Sequence, residues 1–265
     1  MYFGLVETTG SLCPSLTESP EIILGVSGHS TRQVLEFIDD AAAARADYVL
    51  VLPPAYFGAK PSTPSVISSF FTDVAAAAAE KGMTTVLYNF PAVCNGIDLD
   101  SATIAALAGG ANEGKIVGVK LTCGSVAKIT RLAAQLDGER FRVFGGQSDF
   151  LLGGLAVGSA GCIAAFANVF PKTVSRIYEL WEKGEQEEAL KLHRKAALAE
   201  QGVKAGGIAA VKYAASVFSA GRAGVDGAEK LMKPRRPYQE LGDEAKRVLR
   251  EGMAEVAATE DMHSP

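Results

Sequence analysis

The sequence predicts an α/β fold: a (β/α)8 (TIM) barrel that lacks its first βα unit, followed by a C-terminal helical extension. Three observations carry that expectation. Short apolar runs alternate with alanine-rich amphipathic segments, the order that gives parallel strand pairing. The runs are apolar throughout, as in Tyr48-Val-Leu-Val-Leu52, which fits a sheet covered on both faces. They recur about every 30 residues, the spacing of a barrel of roughly 250 residues. A doubly wound sheet shows the same alternation. However, no G-x-G-x-x-G opens a helix after the first strand, and no Walker loop is present.

The predicted strands are Ile22–Val26, Tyr48–Leu52, Thr84–Tyr88, Ile116–Lys120, Phe141–Phe144 and Gly161–Ala164. A seventh is Tyr2–Val6, and no eighth is found. Between them lie predicted helices Thr31–Ala44, Ser65–Lys81, Asp100–Ala108, Ser125–Leu136 and Asp149–Val157. Ser30 or Thr31 can cap the first and Ser125 the fourth, and Gly82 and Gly138 follow the ends of two others. Thr173–Lys183 reads as the closing helix. Gln186–Gln201, Ile208–Ser219 and Asp243–Ala257 are further helices. Residues 1–184 are thus read as an N-terminally incomplete barrel and 185–265 as a helical region.

Composition narrows the function. The chain has 265 residues, 48% hydrophobic and 21% charged, with a net charge of -4. With 26 basic against 30 acidic residues, it lacks the basic surface that nucleic acid demands. Cys13, Cys94, Cys123 and Cys162 are widely spaced without a C-x-x-C and read as free thiols. The histidines are His29, His193 and His263, too few to favour a zinc site. Phe150–Phe170 is uncharged, but four glycines, Ser159 and Asn168 interrupt it. It reads as a helix and a buried strand rather than a membrane span. No Lys or Arg precedes Arg32, so neither a secretory signal nor a transit peptide is expected. A cytoplasmic location follows, or the mitochondrial matrix if an N-terminal segment is missing.

In a barrel, chemistry sits at the C-terminal ends of the strands. Lys120 ends the run Ile116-Val-Gly-Val-Lys120 and is flanked by apolar Val119 and Leu121. An apolar setting favours the neutral amine that attacks a carbonyl. The other reading is a lysine in the first turn of a helix, exposed to water. Tyr88 ends the preceding strand. Neighbouring strands are about 4.8 Å apart, so its phenol can approach the amine and move protons, or it can simply pack at the rim. Thr8-Thr9-Gly10 can place hydroxyls at another strand end, or form a turn. Gly145-Gly146 can admit a ligand to backbone N–H groups, or be an ordinary turn.

Five segments together resemble the dihydrodipicolinate synthase / N-acetylneuraminate lyase superfamily of class I aldolases. They are Tyr88-Asn-Phe-Pro91, Gly96-Ile-Asp-Leu99, Ile116-Val-Gly-Val-Lys-Leu-Thr-Cys-Gly124, Phe144-Gly-Gly-Gln-Ser-Asp149 and Gly161-Cys-Ile-Ala-Ala-Phe-Ala-Asn-Val169. The resemblance runs from about Ile22 to Leu241. It implies a (β/α)8 barrel, usually a tetramer, acting on pyruvate or another small 2-oxo acid without metal or organic cofactor. It implies Lys120 as the Schiff-base lysine and Tyr88 as the proton relay. Thr122, Gly146 and Ile163 fall where relatives bind substrate. Tyr56, or Phe57 one residue on, resembles the aromatic residue that relatives insert into a neighbouring subunit. Thr8 and Thr9 would position the substrate carboxylate.

Two departures refine the reading. The loop Ala92-Val-Cys-Asn-Gly96 lacks the arginine with which dihydrodipicolinate synthases bind a second carboxylate. This loop and Lys120-Leu-Thr-Cys-Gly-Ser125 are closer to 4-hydroxy-2-oxoglutarate aldolases and eukaryotic 2-keto-3-deoxy sugar-acid aldolases. At the start, Thr8-Thr9-Gly10 lacks the family's leading Gly and trailing Glu, and only 14 residues (Ser11–Leu24) separate it from Gly25. The expectation is therefore a Schiff-base lyase producing pyruvate and an aldehyde. The alternatives are a 4-hydroxy-tetrahydrodipicolinate synthase, or an inactive truncated paralogue that binds 2-oxo acids or a homologous subunit.

Overall fold

The computed structural model describes residues 21–262. Its strands are β1 (Ile23–Gly25), β2 (Tyr48–Val51), β3 (Thr84–Asn89), β4 (Ile116–Leu121), β5 (Arg142–Gly145) and β6 (Gly161–Cys162). They follow one another in chain order in one sheet, and the pairings from β1 to β4 are parallel. Chain order with intervening helices is the (β/α)-barrel arrangement, whereas a doubly wound sheet reverses its order at a switch point. All six strands expected between Ile22 and Ala164 are found. The seventh, Tyr2–Val6, lies outside the described residues.

The helices are α1 (Thr31–Ala43), α2 (Pro64–Glu80), α3 (Ser101–Ala108), α4 (Val126–Gln135), α5 (Leu151–Leu155), α6 (Pro171–Glu182), α7 (Gln186–Ala215), α8 (Ala228–Leu231) and α9 (Asp243–Met262). The first four open on a polar cap, which satisfies one of the free N–H groups of the first turn. Ser30 accepts from the Gln33 N–H at 3.3 Å and Thr63 from that of Val66 at 3.4 Å. Asp100 accepts from Thr103 at 2.7 Å and Ser125 from Lys128 at 3.2 Å. Phe150–Phe170 divides into α5, β6 and a short 3-10 turn. Among the described residues no helix is long and apolar enough to cross a membrane.

The described chain folds as two compact units. The first runs to Phe144 and includes Val157–Ala160, and the second comprises Gly145–Ala156 and the residues from Gly161 onward. In the first unit, Phe70, Phe71 and Val74 of α2, Ile104 and Leu107 of α3, and Ile129 and Leu132 of α4 are buried. The register between β3 and β4 contains an irregularity. Thr85 faces Ile116, but Val86 faces Gly118, so Tyr88 faces Lys120. Gly118 is needed where it stands. A β-carbon there would lie 2.7 Å from the carbonyl oxygen of Arg142.

A polar network fastens the end of β3. Asn89 is fully buried. Its amide nitrogen donates to Asp98 at 2.7 Å, and its amide oxygen accepts from the Leu99 N–H at 2.9 Å. Lys128, buried in the first turn of α4, pairs with the same carboxylate. Burial raises the Asp98 carboxyl, but the bonds from Asn89 and Lys128 outweigh it and hold the group below its ordinary value.

In the second unit, Phe166, Phe170, Ile177, Leu192, Val203, Phe218 and Met253 belong to one buried cluster. The two helices expected at Gln186–Gln201 and Ile208–Ser219 are both found, as the two segments of α7, which are separated by a break at Gly207 (φ 58°, ψ -144°). Residues of L-chirality avoid that backbone region, and glycine does not. The helix ends in a π-turn at Ser216–Ala220. Helix α6 opens after Phe170, which has no capping side chain. Glu260 of α9 supplies the cap from far along the chain. It accepts the N–H of Lys172 at 2.9 Å and both the N–H and hydroxyl of Thr173 at 2.6 Å.

Two stability outcomes follow from the first unit. Gly118→Ala should destabilise the protein by about 1–3 kcal/mol, because backbone must move to admit the methyl group. A thermal melt unchanged from wild type would refute the close approach of β5. For the buried pair the effects should be unequal. Asp98→Asn strands a buried ammonium and should cost about 3 kcal/mol. Lys128→Met leaves a half-exposed carboxylate that water can solvate, and should cost about 1 kcal/mol or less. A carboxyl depressed on folding contributes above its unfolded pKa and loses that contribution as pH falls through the folded value. The stability gap between wild type and Asp98→Asn should therefore be full above roughly pH 4 and shrink on further acidification, as urea titrations across that range would measure.

Candidate active site

Lys120 is a strand residue, the fifth of β4. This removes the reading of an exposed lysine in a helix turn. It is half-buried, between Val119 and Leu121, both fully buried. On the same face of the sheet, Tyr88 lies opposite it in register. The Lys120 Nζ sits over the phenol ring, 4.3 Å from its centroid. Tyr88 and Phe90 have ring centroids 5.8 Å apart with planes tilted by 33°. A lysine head group held against an aromatic face is positioned by dispersion and by the ring quadrupole.

Thr122 follows two residues after the lysine. Its N–H donates to the Asn89 carbonyl at 2.9 Å, which extends the β3–β4 ladder past the strand end. Its hydroxyl is buried and has no hydrogen-bond partner among the described residues. A buried hydroxyl left unsatisfied costs free energy, so a ligand oxygen next to Lys120 would find a donor waiting. Tyr88, Lys120 and Thr122 are therefore brought together in the first unit by the ends of two adjacent strands.

The other expected residues stand elsewhere. Gly146 is buried and Ile163 half-buried, and both lie in the second unit. There, the Ile163 N–H donates to the Gly145 carbonyl at 2.8 Å. Gly145 has no room for a side chain: a β-carbon would meet the Phe150 ring at 2.9 Å. Tyr56 and Phe57 are 67% and 79% exposed. Tyr56 packs edge-on against His29 at 5.3 Å and against Phe57 at 5.1 Å. Thr8 and Thr9 lie outside the described residues.

The loop without an arginine has a different fastening. The Asn95 amide donates to the carbonyl of Ala55 at 2.7 Å, which ties Ala92–Gly96 to the segment carrying Tyr56. Among the described residues, Cys94 and Cys123 are free thiols. Burial pushes the Cys94 thiol up to about 11, so it stays protonated and unreactive. No three histidine, cysteine, aspartate or glutamate side chains gather as a metal site among the described residues. Asn89, Asp98 and Lys128 escaped the sequence reading. They join through bonds between positions 9 and 30 residues apart.

Comparison with known proteins identifies the family. The model of the dihydrodipicolinate synthetase family matches residues 15–255. A Coccidioides immitis (strain RS) protein, provisionally named a mitochondrial 4-hydroxy-2-oxoglutarate aldolase, is 61% identical over 239 residues, 90% of this chain and 74% of that protein. An L-threo-3-deoxy-hexylosonate aldolase from Hypocrea jecorina is 34% identical over 250 residues, 92% of this chain and 74% of that protein. Crystal structures of a Coccidioides immitis protein, provisionally assigned to the dihydrodipicolinate synthase family, superpose with a TM-score of 0.86 at 53% identity. They cover 100% of this chain and 81% of that one. With its strand order, its Tyr88–Lys120 pairing and a family match across most of its length, the chain belongs to the dihydrodipicolinate synthetase family.

Proposed function

We propose that this chain is a Schiff-base aldolase that cleaves a 4-hydroxy-2-oxo acid to pyruvate and an aldehyde. Suitable substrates are 4-hydroxy-2-oxoglutarate or a 2-keto-3-deoxy sugar acid. The observation that carries the proposal is Lys120 Nζ over the Tyr88 ring, 4.3 Å from its centroid, at the ends of two paired strands. The amine attacks C2 of the oxo acid, and loss of water leaves an iminium. A proton then leaves the C4 hydroxyl and the C3–C4 bond breaks. Its electron pair passes into the iminium and forms an enamine, while C4 departs as the aldehyde. Protonation at C3 and hydrolysis release pyruvate and restore the amine. Tyr88 is the group placed to move the proton, and the unpaired Thr122 hydroxyl is a donor for the substrate carboxylate.

Cleavage is favoured over the synthase reaction by the Ala92–Gly96 loop, which has no guanidinium and spends Asn95 on the Ala55 carbonyl. Gly146 and Ile163 are further substrate-binding positions in this reading, and so are Thr8 and Thr9. The protein works as a homo-oligomer, with exposed Tyr56 or Phe57 directed to a second copy. The fungal aldolase at 61% identity is named as mitochondrial, which supports a mitochondrial rather than a cytoplasmic location.

Borohydride reduction in the presence of pyruvate should fix a three-carbon adduct on Lys120, detectable by peptide mass. An unmodified Lys120 in folded protein would overturn the proposal. Lys120→Arg should form no adduct and show no turnover. Tyr88→Phe should still be trapped while kcat falls about 10²–10³-fold, the size of a lost general acid–base. Turnover of pyruvate with aspartate semialdehyde, and none of 4-hydroxy-2-oxo acids, would favour the synthase.

A further inference from the structure

Helices α7, α8 and α9 line a cavity of about 390 Å³ whose residues the proposed reaction does not use. Helix α7 contributes Tyr213, α8 Glu229 and Lys230, and α9 Lys246. The segment joining α8 to α9 forms the remaining wall. All of these residues belong to the second unit. The volume is that of a small-molecule site.

Tyr213 is a polar group of this wall with nothing to bond. It is 8% exposed, and its hydroxyl is buried without a hydrogen-bond partner among the described residues. Such a group costs free energy that a bound acceptor would recover. Burial, then the charges of Glu229 and Asp243, hold the phenol above its ordinary value against Arg250, so it keeps its proton. Lys246 is half-buried and stands over the same ring, its Nζ 5.3 Å from the centroid.

The charges around the cavity do not cancel. Lys233 pairs with Glu240 at 2.7 Å, and Lys246 acts on that carboxylate through space alone. Neither Lys230 nor Lys246 forms an ion pair among the described residues. Lys230, Lys233 and Lys246 against Glu229 and Glu240 leave one positive charge in excess. Met232, Pro234 and Leu241 make the rest of the lining apolar, a surface that a bare inorganic ion would leave uncovered.

We propose that this cavity binds a small organic monoanion, its carboxylate held by the Lys246 ammonium and the Tyr213 hydroxyl and its short hydrocarbon chain lying against Met232, Pro234 and Leu241. The Lys246 arm overlying the ring is long and flexible, and it shifts to admit the anion to the hydroxyl. The site makes no use of Lys120 and stands apart from the aldolase reading.

The test is calorimetric titration of the full chain with butyrate, and with butylammonium and inorganic phosphate for comparison. Butyrate should bind saturably at one site, phosphate more weakly, and butylammonium not at all. Lys246→Met should weaken butyrate about tenfold or more, as loss of a charge-assisted bond does. Tyr213→Phe should weaken it several-fold, yet melt no lower than wild type, because it removes a hydroxyl that the free protein leaves unbonded. Lys120→Arg should bind butyrate as wild type does. The proposal is overturned if wild type shows no saturable butyrate binding, or if phosphate or butylammonium binds as tightly. It is overturned equally if both cavity variants bind butyrate unchanged, or if Lys120→Arg abolishes binding, which would place the anion at Lys120. If Lys246→Met does not fold, Tyr213→Phe decides.

Discussion

The pairing of Tyr88 with Lys120 depends on a one-residue offset between two neighbouring strands. Thr85 faces Ile116, while Val86, one position on, faces Gly118. Had the register continued unbroken, Tyr88 would have met Val119 and Lys120 would have been shifted out of step with it. Because side chains alternate with period two, a single-residue slip changes which face each presents to its neighbour. The offset puts a phenol and an amine on one face at the point where both strands end. That face carries Tyr88 and Lys120, and the opposite face carries the buried residues Leu87, Val119 and Leu121.

The offset must be held, and the surrounding residues do so by complementary means. Gly118 lets β5 approach within a distance that no side chain would tolerate. Just past Tyr88, Asn89 is fully buried and joins three partners: the Asp98 carboxylate, the Leu99 N–H and, through its own carbonyl, the Thr122 N–H. Asp98 in turn neutralises buried Lys128. These bonds lock the chain on both sides of the pairing, so the amine meets the ring without depending on a flexible loop. Partly satisfied networks of this kind are costly, whereas fully satisfied ones specify a single geometry.

The strands were legible in the sequence because each is a short run of apolar and β-branched residues ended by a turn signal. Lys120 and Tyr88 were legible because both terminate such runs and because their segments resemble a known family. Other features were not. The strand offset leaves no mark in either strand alone. Glu200 stands in a helical run of ordinary composition. Its partner, Ser148, is 52 residues earlier, and nothing local to either residue announces the other.

Glu200 and Glu260 show how the C-terminal helices are joined to the rest of their unit. Each is a buried carboxylate, and each accepts both the N–H and the hydroxyl of a single Ser or Thr, with the hydroxyl at 2.6 Å in both cases. The two differ in what they hold. Glu260 takes the N–H groups of Lys172 and Thr173 at the start of α6, where the helix dipole favours a negative charge and a missing cap leaves donors free. Capping fully accounts for it. Glu200 meets a loop whose only access to a helix start is the short α5, beginning three residues after Ser148. Neither a cap nor burial of apolar surface explains a carboxylate there. What it does provide is a fixed orientation for Ser148, whose N–H and hydroxyl it accepts together.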